Sequence, residues 1–571
     1  MTKKLDVQAT RSRTKKYEPI LPGTKDWPVV WMAKHRKEFV EQVIEESFSH
    51  ILSLKPNVID LIEELELTLF KEKTRITQNP WVVDPEDEKA FWSGIKKQLI
   101  GVSKSEIEPG GADEKVAKQV LKAIVGRYAE EVAGNFKPSH YKMTRSLVTF
   151  GLTRFLNGAR LKGIDRFFKS ELSLMDKIQI VGEVDDLRKL AKLGTIVMVP
   201  THFSNLDSVL IGWVISTLGL PPLIYGAGLN LFNIQIFAYF MNSLGAYKVD
   251  RRKKNLIYIE TLKMYSSLAI RKGIHSLFFP GGTRSRSGKI EDRLKLGLLG
   301  TAIEAQRKNI QEKGEDAEKV FVVPMTLNYN FVLEAPSLID DYLKIKGQER
   351  YYAESDEFSS SAKILNFIFK FMTKGGNISV SIGKPMDLFG NYVNGEGQSF
   401  DKYGRELKVY DYFRDIEGNV TTDLQREKEY TKMLAGKIVH EFHRINRVSA
   451  SHLASFTAFY MLRKRHKKLD LYNFLRLSDE DLVINNDEFK ATFKKMRDVV
   501  YETYKAGKID IANHLTGDLD EVIEMGLKNC GMYHPKLPLV RNRQNNITTE
   551  DVKTLYYYSN RLKGYGFEKY I

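Results

Sequence analysis

Thr195-Ile196-Val197-Met198-Val199-Pro200-Thr201-His202-Phe203-Ser204-Asn205-Leu206-Asp207 is an apolar run rich in β-branched residues that stops at a proline and passes into a short polar stretch. Bounded by Gly194 and Pro200, its first five residues read as a buried strand. Runs of the same kind recur at Ile178–Val181, Ser276–Phe279, Val320–Val323 and Ile378–Ile382, with helix-length segments between them. Strands alternating with helices predict an α/β fold whose mixed, largely parallel sheet is flanked by helices.

Outward from this block the pattern changes on both sides. From about Trp27 to Gly163 apolar residues recur at three- and four-residue spacing, as in Phe39, Val43, Phe48, Ile51 and then Val58, Ile62, Leu65, Leu69, which reads as helical. From Gly390 the chain is polar, then helical again from about Gln425 to Phe567, without clear repeats. The expected organisation is a basic flexible arm over 1–23, a helical N-terminal domain over 24–170, the α/β domain over 171–390 with an insertion at about 334–374, and a mostly helical C-terminal region over 391–571.

The segment Ser208–Tyr247 holds no Asp, Glu, Lys, Arg or His. A spanning helix needs roughly 20 predominantly apolar residues, but Pro221, Pro222, Gly219, Gly226 and Gly228 interrupt this one, and it lies where a sheet needs crossover helices. It is expected to be buried core plus a membrane-facing patch that sits on a bilayer without crossing it.

The chain has 571 residues, 42% hydrophobic and 28% charged, the balance of a folded protein with room for several domains. A single cysteine, Cys530, makes no internal disulfide and, with no signal peptide in the sequence, points to a reducing cytoplasmic setting. Lys and Arg number 88 against 72 Asp and Glu, giving a net charge of +16, so an anionic partner is expected. Paired-cysteine zinc patterns and RNA-binding aromatic signatures are missing, and no nucleic-acid partner is expected. His440 and His443 stand three apart, whereas zinc hydrolases place two helical histidines four apart, so no metal and no cofactor is expected.

His202 and Asp207 are five residues apart, which on one continuous helix sets them about 140° apart, so they meet only across a turn. With Ser204 as N-cap of the next helix and Asp207 in its first turn, the carboxylate reaches back to one ring nitrogen of His202 and leaves the other to take a proton. The same residues also suit a plain capping box beside a satisfied loop histidine. Further on come Gly245-Ala246-Tyr247-Lys248-Val249-Asp250-Arg251-Arg252 and, after another strand, Pro280-Gly281-Gly282-Thr283-Arg284-Ser285-Arg286. Glycines that expose backbone N–H groups beside paired arginines suit a phosphate. This is not a nucleotide P-loop, since position 283 is threonine and Ile290 follows Lys289. The fourth segment, Val323-Pro324-Met325, ends one more strand, and ligands of open α/β sheets gather outside strand carboxyl ends.

These four segments resemble the four blocks of the glycerolipid acyltransferases, which include glycerol-3-phosphate and lysophosphatidate acyltransferases. The first block, His-x4-Asp, is matched by His202, Ser204 and Asp207; the second by Gly245 to Arg252; the third, Phe-Pro-Glu-Gly-Thr-Arg-Ser-Arg, by Phe279 to Arg286; the fourth by Val323-Pro324-Met325. The third block departs at one place, with Gly281 where most of the family has Glu. The resemblance covers roughly Ile178 to Lys384.

It implies that His202 is the general base for a glycerol hydroxyl attacking an acyl thioester and that Asp207 orients it. It further implies that Arg251 or Arg252, with Arg284 and Arg286, clamps the glycerol phosphate, with Gly282 and Thr283 shaping the loop and Ser204 and Pro324 in support. The implied reaction is acylation of the sn-1 hydroxyl of glycerol 3-phosphate, with acyl-CoA or acyl-acyl carrier protein as co-substrate, on the cytoplasmic face of an anionic membrane surface. The competing expectations are a lysophosphatidate acyltransferase and a non-catalytic lipid- or phosphate-binding relative.

Overall fold

The structure, a computed structural model, describes residues 16–78, 80, 84–100, 111–141, 178–229, 245–346 and 378–571. Most of the basic arm, the end of the helical N-terminal region, part of the apolar segment and most of the insertion lie outside the described residues.

Seven strands form the central sheet: β1 Ile178–Gly182, β2 Gly194–Pro200, β3 Ile224–Gly228, β4 Ala246–Val249, β5 Ser276–Leu277, β6 Lys319–Tyr329 and β7 Ile378–Ile382. Their order is β1-β7-β6-β2-β5-β3-β4. β6, β2, β5, β3 and β4 run parallel, while β7 lies antiparallel to β6 and carries β1 parallel beside it. The mixed, largely parallel sheet expected from the apolar runs is present. β2 is buried from Thr195 to Pro200 and β6 from Val320 to Tyr329, as central strands covered on both faces must be.

The apolar segment after His202 supplies helix Asp207–Thr217, as expected of a crossover, but also strand β3, which the sequence reading did not place. Two of the glycines read as interruptions, Gly226 and Gly228, belong to the pairing, while Gly219 follows the helix at positive φ. Gly226 lies opposite Tyr247 of β4, and a Cβ at 226 would come within 3.0 Å of the Tyr247 hydroxyl, so the missing side chain makes room for the ring. Residues 230–244 of this segment, and with them much of the expected membrane-facing patch, are outside the described residues. Among the described residues no helix is long and apolar enough to cross a membrane.

Five N-terminal helices, Pro28–Lys34, Arg36–Leu54, Val58–Gln78, Glu88–Ile100 and Ala112–Val132, enclose a core of their own that includes Phe39, Val43, Ile51, Ile62 and Leu65. This core continues into helix Leu256–Arg271 and the β3–β4 edge through Tyr258, Tyr265, Ile224 and Tyr247. The C-terminal helices Leu424–Arg444, Ala450–Arg465, Asn486–Lys505, Leu519–Asn529 and Val552–Ser559 instead share one continuous core with the sheet. Ala450–Arg465 is largely buried and packs against Asn486–Lys505, Leu519–Asn529 and Val552–Ser559, forming the hub of those three.

Between the sheet and the C-terminal helices the chain does repeat, contrary to the reading from sequence. At Asp387, Asn394, Asp401 and Asp415 the side-chain oxygen accepts backbone N–H groups two and four residues on, and a glycine at positive φ closes each turn three residues on. Asn542 builds a fifth copy with Asn545 in the glycine position. Each is a three-residue hairpin loop, in which a short Asx side chain and a left-handed residue are the only fixed requirements.

Candidate active site

The carboxyl ends of β2, β3, β4, β5 and β6 open on one side of the sheet, and the loops that follow them build a single cleft. It is an open cleft of about 230 Å³ lined by, among others, His202, Asn205, Arg251, Thr283, Arg284 and Arg286. Beside it, sharing Ser208 as a wall, is a small apolar recess of about 30 Å³ whose walls include Tyr141, Ile211, Ile215, Leu223 and Tyr225.

His202 sits on the loop two residues past β2, and the loop is pinned to β6 because Thr201 donates its N–H to the Met325 carbonyl at 3.0 Å. Asp207 Oδ2 lies 2.7 Å from His202 Nδ1 and accepts the N–H groups of Phe203 and Ser204 at 2.7 and 3.0 Å. Oδ1 accepts the Tyr329 hydroxyl at 2.5 Å. The side chain of Asp207 is fully buried and that of His202 is 14% exposed. A carboxylate accepts, so Nδ1 carries the ring proton and Nε2 is left as the basic nitrogen; it has no hydrogen bond among the described residues. The Phe279 ring stacks on the imidazole at 4.0 Å between centroids, fixing its plane.

The carboxylate and imidazole meet across the turn as expected, but the helix starts differently. Its N-cap is Leu206, Asp207 is its first residue, and Ser204 is not the cap. The reason is Glu334, whose Oε2 accepts the Ser204 hydroxyl at 3.0 Å and whose Oε1 accepts the Asn205 N–H at 2.9 Å. Arg284 donates to the same Oε1 at 3.2 Å, so one buried carboxylate ties the histidine loop to the arginine loop. A second tie is the Ser285 N–H donated to the His202 carbonyl at 2.7 Å.

Of the expected anion-binding residues, the cleft gathers Arg251, Arg284, Arg286 and Thr283. Burial first, then repulsion from Arg284 and Arg286, holds the Arg251 guanidinium below its ordinary range. Arg252 is elsewhere. Its guanidinium is held by Asp84 at 2.7 Å and by Asp250 at 2.6 Å, so it fastens the loop to the N-terminal helices. The neighbouring Lys253 pairs with Glu131, and Asn255 donates to Glu72 and to the Tyr128 hydroxyl, both at 3.0 Å. Gly282 shapes the third loop at φ +77°, and Pro324 is a buried strand residue opposite Val199.

Tyr329, Glu334, Glu291 and Arg561 were not found by reading the sequence. Arg561, near the C-terminus, is buried beneath the histidine loop, its guanidinium 4.2 Å from the Phe203 ring and donating to Leu327 O, Asn328 Oδ1 and Asn446 Oδ1. Burial pulls it down to about 10, against the opposing pull of nearby groups that include Glu291 and Asp207. Among the described residues no cluster of three or more His, Cys, Asp or Glu side chains is arranged to hold a metal.

Comparison with known proteins matches residues 182–328 to the family model described as Acyltransferase. The chain is 26% identical over 287 residues to the glycerol-3-phosphate acyltransferase of Pseudoalteromonas atlantica, covering 50% of this chain and 30% of that protein. It is 26% identical over 302 residues to the glycerol-3-phosphate acyltransferase of Aeromonas hydrophila, covering 52% and 33%. For the enzyme of the same name from Shewanella frigidimarina the figures are 24% over 323 residues, 56% and 34%. The chain thus spans about a third of the length of the curated relatives it matches.

Proposed function

We propose, from the premise that this chain carries an acyltransferase domain of the glycerolipid acyltransferase family, that it transfers a fatty acyl group from an acyl thioester to the sn-1 hydroxyl of glycerol 3-phosphate. The observation that carries the reading is the His202–Asp207 pair opening on the same cleft as Arg251, Arg284 and Arg286.

The phosphate is held by the three arginines, whose guanidinium donors are matched to its oxygens. This sets the glycerol hydroxyl against Nε2 of His202, which takes its proton as the oxygen attacks the thioester carbonyl carbon. Asp207 stabilises the imidazolium so formed. The tetrahedral intermediate collapses with cleavage of the carbon–sulfur bond, and the proton on Nε2 passes to the departing thiolate. No residue of the chain is acylated, because the thioester is already activated. Acyl-CoA and acyl-acyl carrier protein are both anionic and both suit the +16 charge, as does the cytoplasmic face of an anionic bilayer, where the product partitions.

The test is thiol release from a long-chain acyl-CoA, or from acyl-acyl carrier protein, by purified protein with vesicles. Release that depends on glycerol 3-phosphate and is lost in His202→Ala is the expected result. Release with 1-acyl-glycerol 3-phosphate alone moves the acceptor to the next acylation step. No acceptor-dependent release with either donor refutes the reading in favour of a binding protein without turnover.

A further inference from the structure

We infer that Glu291 supplies, from ten residues downstream, the carboxyl group that the third block of this chain lacks at Gly281, and that it acts as a positioning residue for His202. The inference rests on the reading of His202 as the base.

A Cβ built on Gly281 would lie 2.9 Å from Cγ and 3.0 Å from Oε1 of Glu291. The backbone at 281 is not in the left-handed region, so a side chain there is excluded by occupied space and not by conformation. The Glu291 carboxyl therefore fills the volume into which a residue-281 side chain would project.

What it does there is visible in its hydrogen bond to the histidine loop. Oε1 accepts the backbone N–H of His202 at 3.0 Å. With the His202 carbonyl held by Ser285, Nδ1 held by Asp207 and the ring plane held by Phe279, this bond leaves Nε2 as the polar group of His202 without a hydrogen bond among the described residues. Glu291 as a residue is partly buried, but its Oε2 is shielded from solvent and has no hydrogen-bond partner among the described residues. Burial, with the Asp207 charge adding to it, pushes the carboxyl up to about 7. An uncharged acid satisfies the site, since only an acceptor oxygen is used. Replacement by an amide of the same shape leaves that oxygen in place, whereas truncation frees the His202 backbone and with it the ring.

The test is a four-variant comparison on the full chain: Glu291→Gln, Glu291→Gly, Gly281→Glu and the exchange Gly281→Glu/Glu291→Gly, each read by kcat, by KM for both substrates and by thermal unfolding. Glu291→Gly is expected to lower kcat ~10–100-fold with both KM values within about threefold, the signature of a group that acts through the base. Glu291→Gln is expected to restore kcat to within about threefold of the parent. Gly281→Glu alone crowds an occupied space and lowers both kcat and the unfolding temperature. The exchange is expected to regain at least ~10-fold in kcat over Glu291→Gly, a non-additivity that independent sites do not give. Full kcat in a folded Glu291→Gly, or an exchange variant no better than the worse single change, overturns the inference. If the parent protein itself turns over no acceptor, the proposed function fails and the positioning role with it. The unfolding temperatures still decide separately whether Glu291 and residue 281 compete for one space, and additive losses there refute that competition.

Discussion

Asp207→Asn isolates the charge of the buried carboxylate from its shape. Three N–H donors converge on Oδ2, from His202 Nδ1, Phe203 and Ser204, so an asparagine must keep its oxygen there and turn its NH₂ toward Tyr329. The Tyr329 hydroxyl now donates to Oδ1 at 2.5 Å and, being a donor and acceptor, rotates to accept instead. The fold and the tautomer of His202 are therefore retained, and what is lost is the negative charge facing the imidazolium. A unit charge pair about 4 Å apart at an effective dielectric of about 20 is worth about 4 kcal/mol, which is about 10³ in rate. Counting only the difference between a charge-assisted and a neutral hydrogen bond gives about 1–2 kcal/mol, or roughly tenfold. The expected fall in kcat is therefore about 10²–10³, between these bounds, with the acceptor KM within about threefold and the unfolding temperature within a few degrees. The assay is acceptor-dependent thiol release at saturating donor. A folded Asp207→Asn protein within about fivefold of the parent kcat would refute the electrostatic role of the carboxylate.

The two adjacent arginines of the second block are expected to fail in different ways. Arg251→Ala or Arg284→Ala raises the KM for glycerol 3-phosphate by about one to two orders of magnitude, whereas Arg252→Ala lowers thermal stability and leaves that KM nearly unchanged; equal KM effects at 251 and 252 would contradict the assignment. Stability of Glu291→Gln relative to the parent depends on pH with a definite sign. With the carboxyl at about 7 in the folded protein against an ordinary 4.5, the protonated form is favoured by folding, so the parent loses stability as pH rises from about 4.5 to 7. Glu291→Gln escapes this loss, and urea unfolding should find it better by up to roughly 3 kcal/mol above pH 7 and by nothing near pH 4.5; a difference that does not change with pH counts against the perturbed carboxyl. Gly288 has φ +79°, and a Cβ there would lie 2.2 Å from the Tyr557 carbonyl oxygen, so Gly288→Ala should lower the unfolding temperature by several degrees, and an unchanged value would refute the close approach.

The parts of this molecule that were legible in the sequence are those specified locally. Val197, Val199, Val320 and Val322 announce central strands because strands buried on both faces carry no polar face, and the five-residue step from His202 to Asp207 permits a meeting only across a turn. What escaped reading depends on partners far along the chain. Tyr329 reaches Asp207 across 122 positions, Glu334 reaches Asn205 across 129, and Asp84 captures Arg252 across 168. Arg251 and Arg252 are identical in type and adjacent, and no local pattern says that one faces the cleft and the other a carboxylate from the helical region. β3 was hidden because its glycines lower strand propensity where Tyr247 needs the space. The repeated Asx hairpins carry their signal in the open, as Asp or Asn followed three residues later by glycine in four of five cases, but so short a pattern becomes a repeat only once the hydrogen bonds are seen to coincide.

The C-terminal region then acquires a physical reason for its union with the sheet. The histidine loop needs a rigid floor, since its geometry is set by backbone N–H groups and not by a regular element. That floor comes from the far end of the chain. Arg561 packs on Phe203 and binds the carbonyl of Leu327, Asn560 donates to the Ser287 carbonyl at 2.9 Å, and the Tyr558 hydroxyl accepts the Val332 N–H at 2.8 Å, two residues before Glu334. His452, on the buried hub helix, lies 2.9 Å from the carbonyl of Tyr329, and burial holds it at about 3, so it is uncharged there. The ends of the first, third and fourth blocks are thus each fastened by residues from 446 onward, while the second is fastened by Asp84, Glu72 and Glu131 from the other flank. The α/β sheet holds His202, Asp207 and the cleft arginines at its strand ends, and the two helical regions hold the loops that carry them.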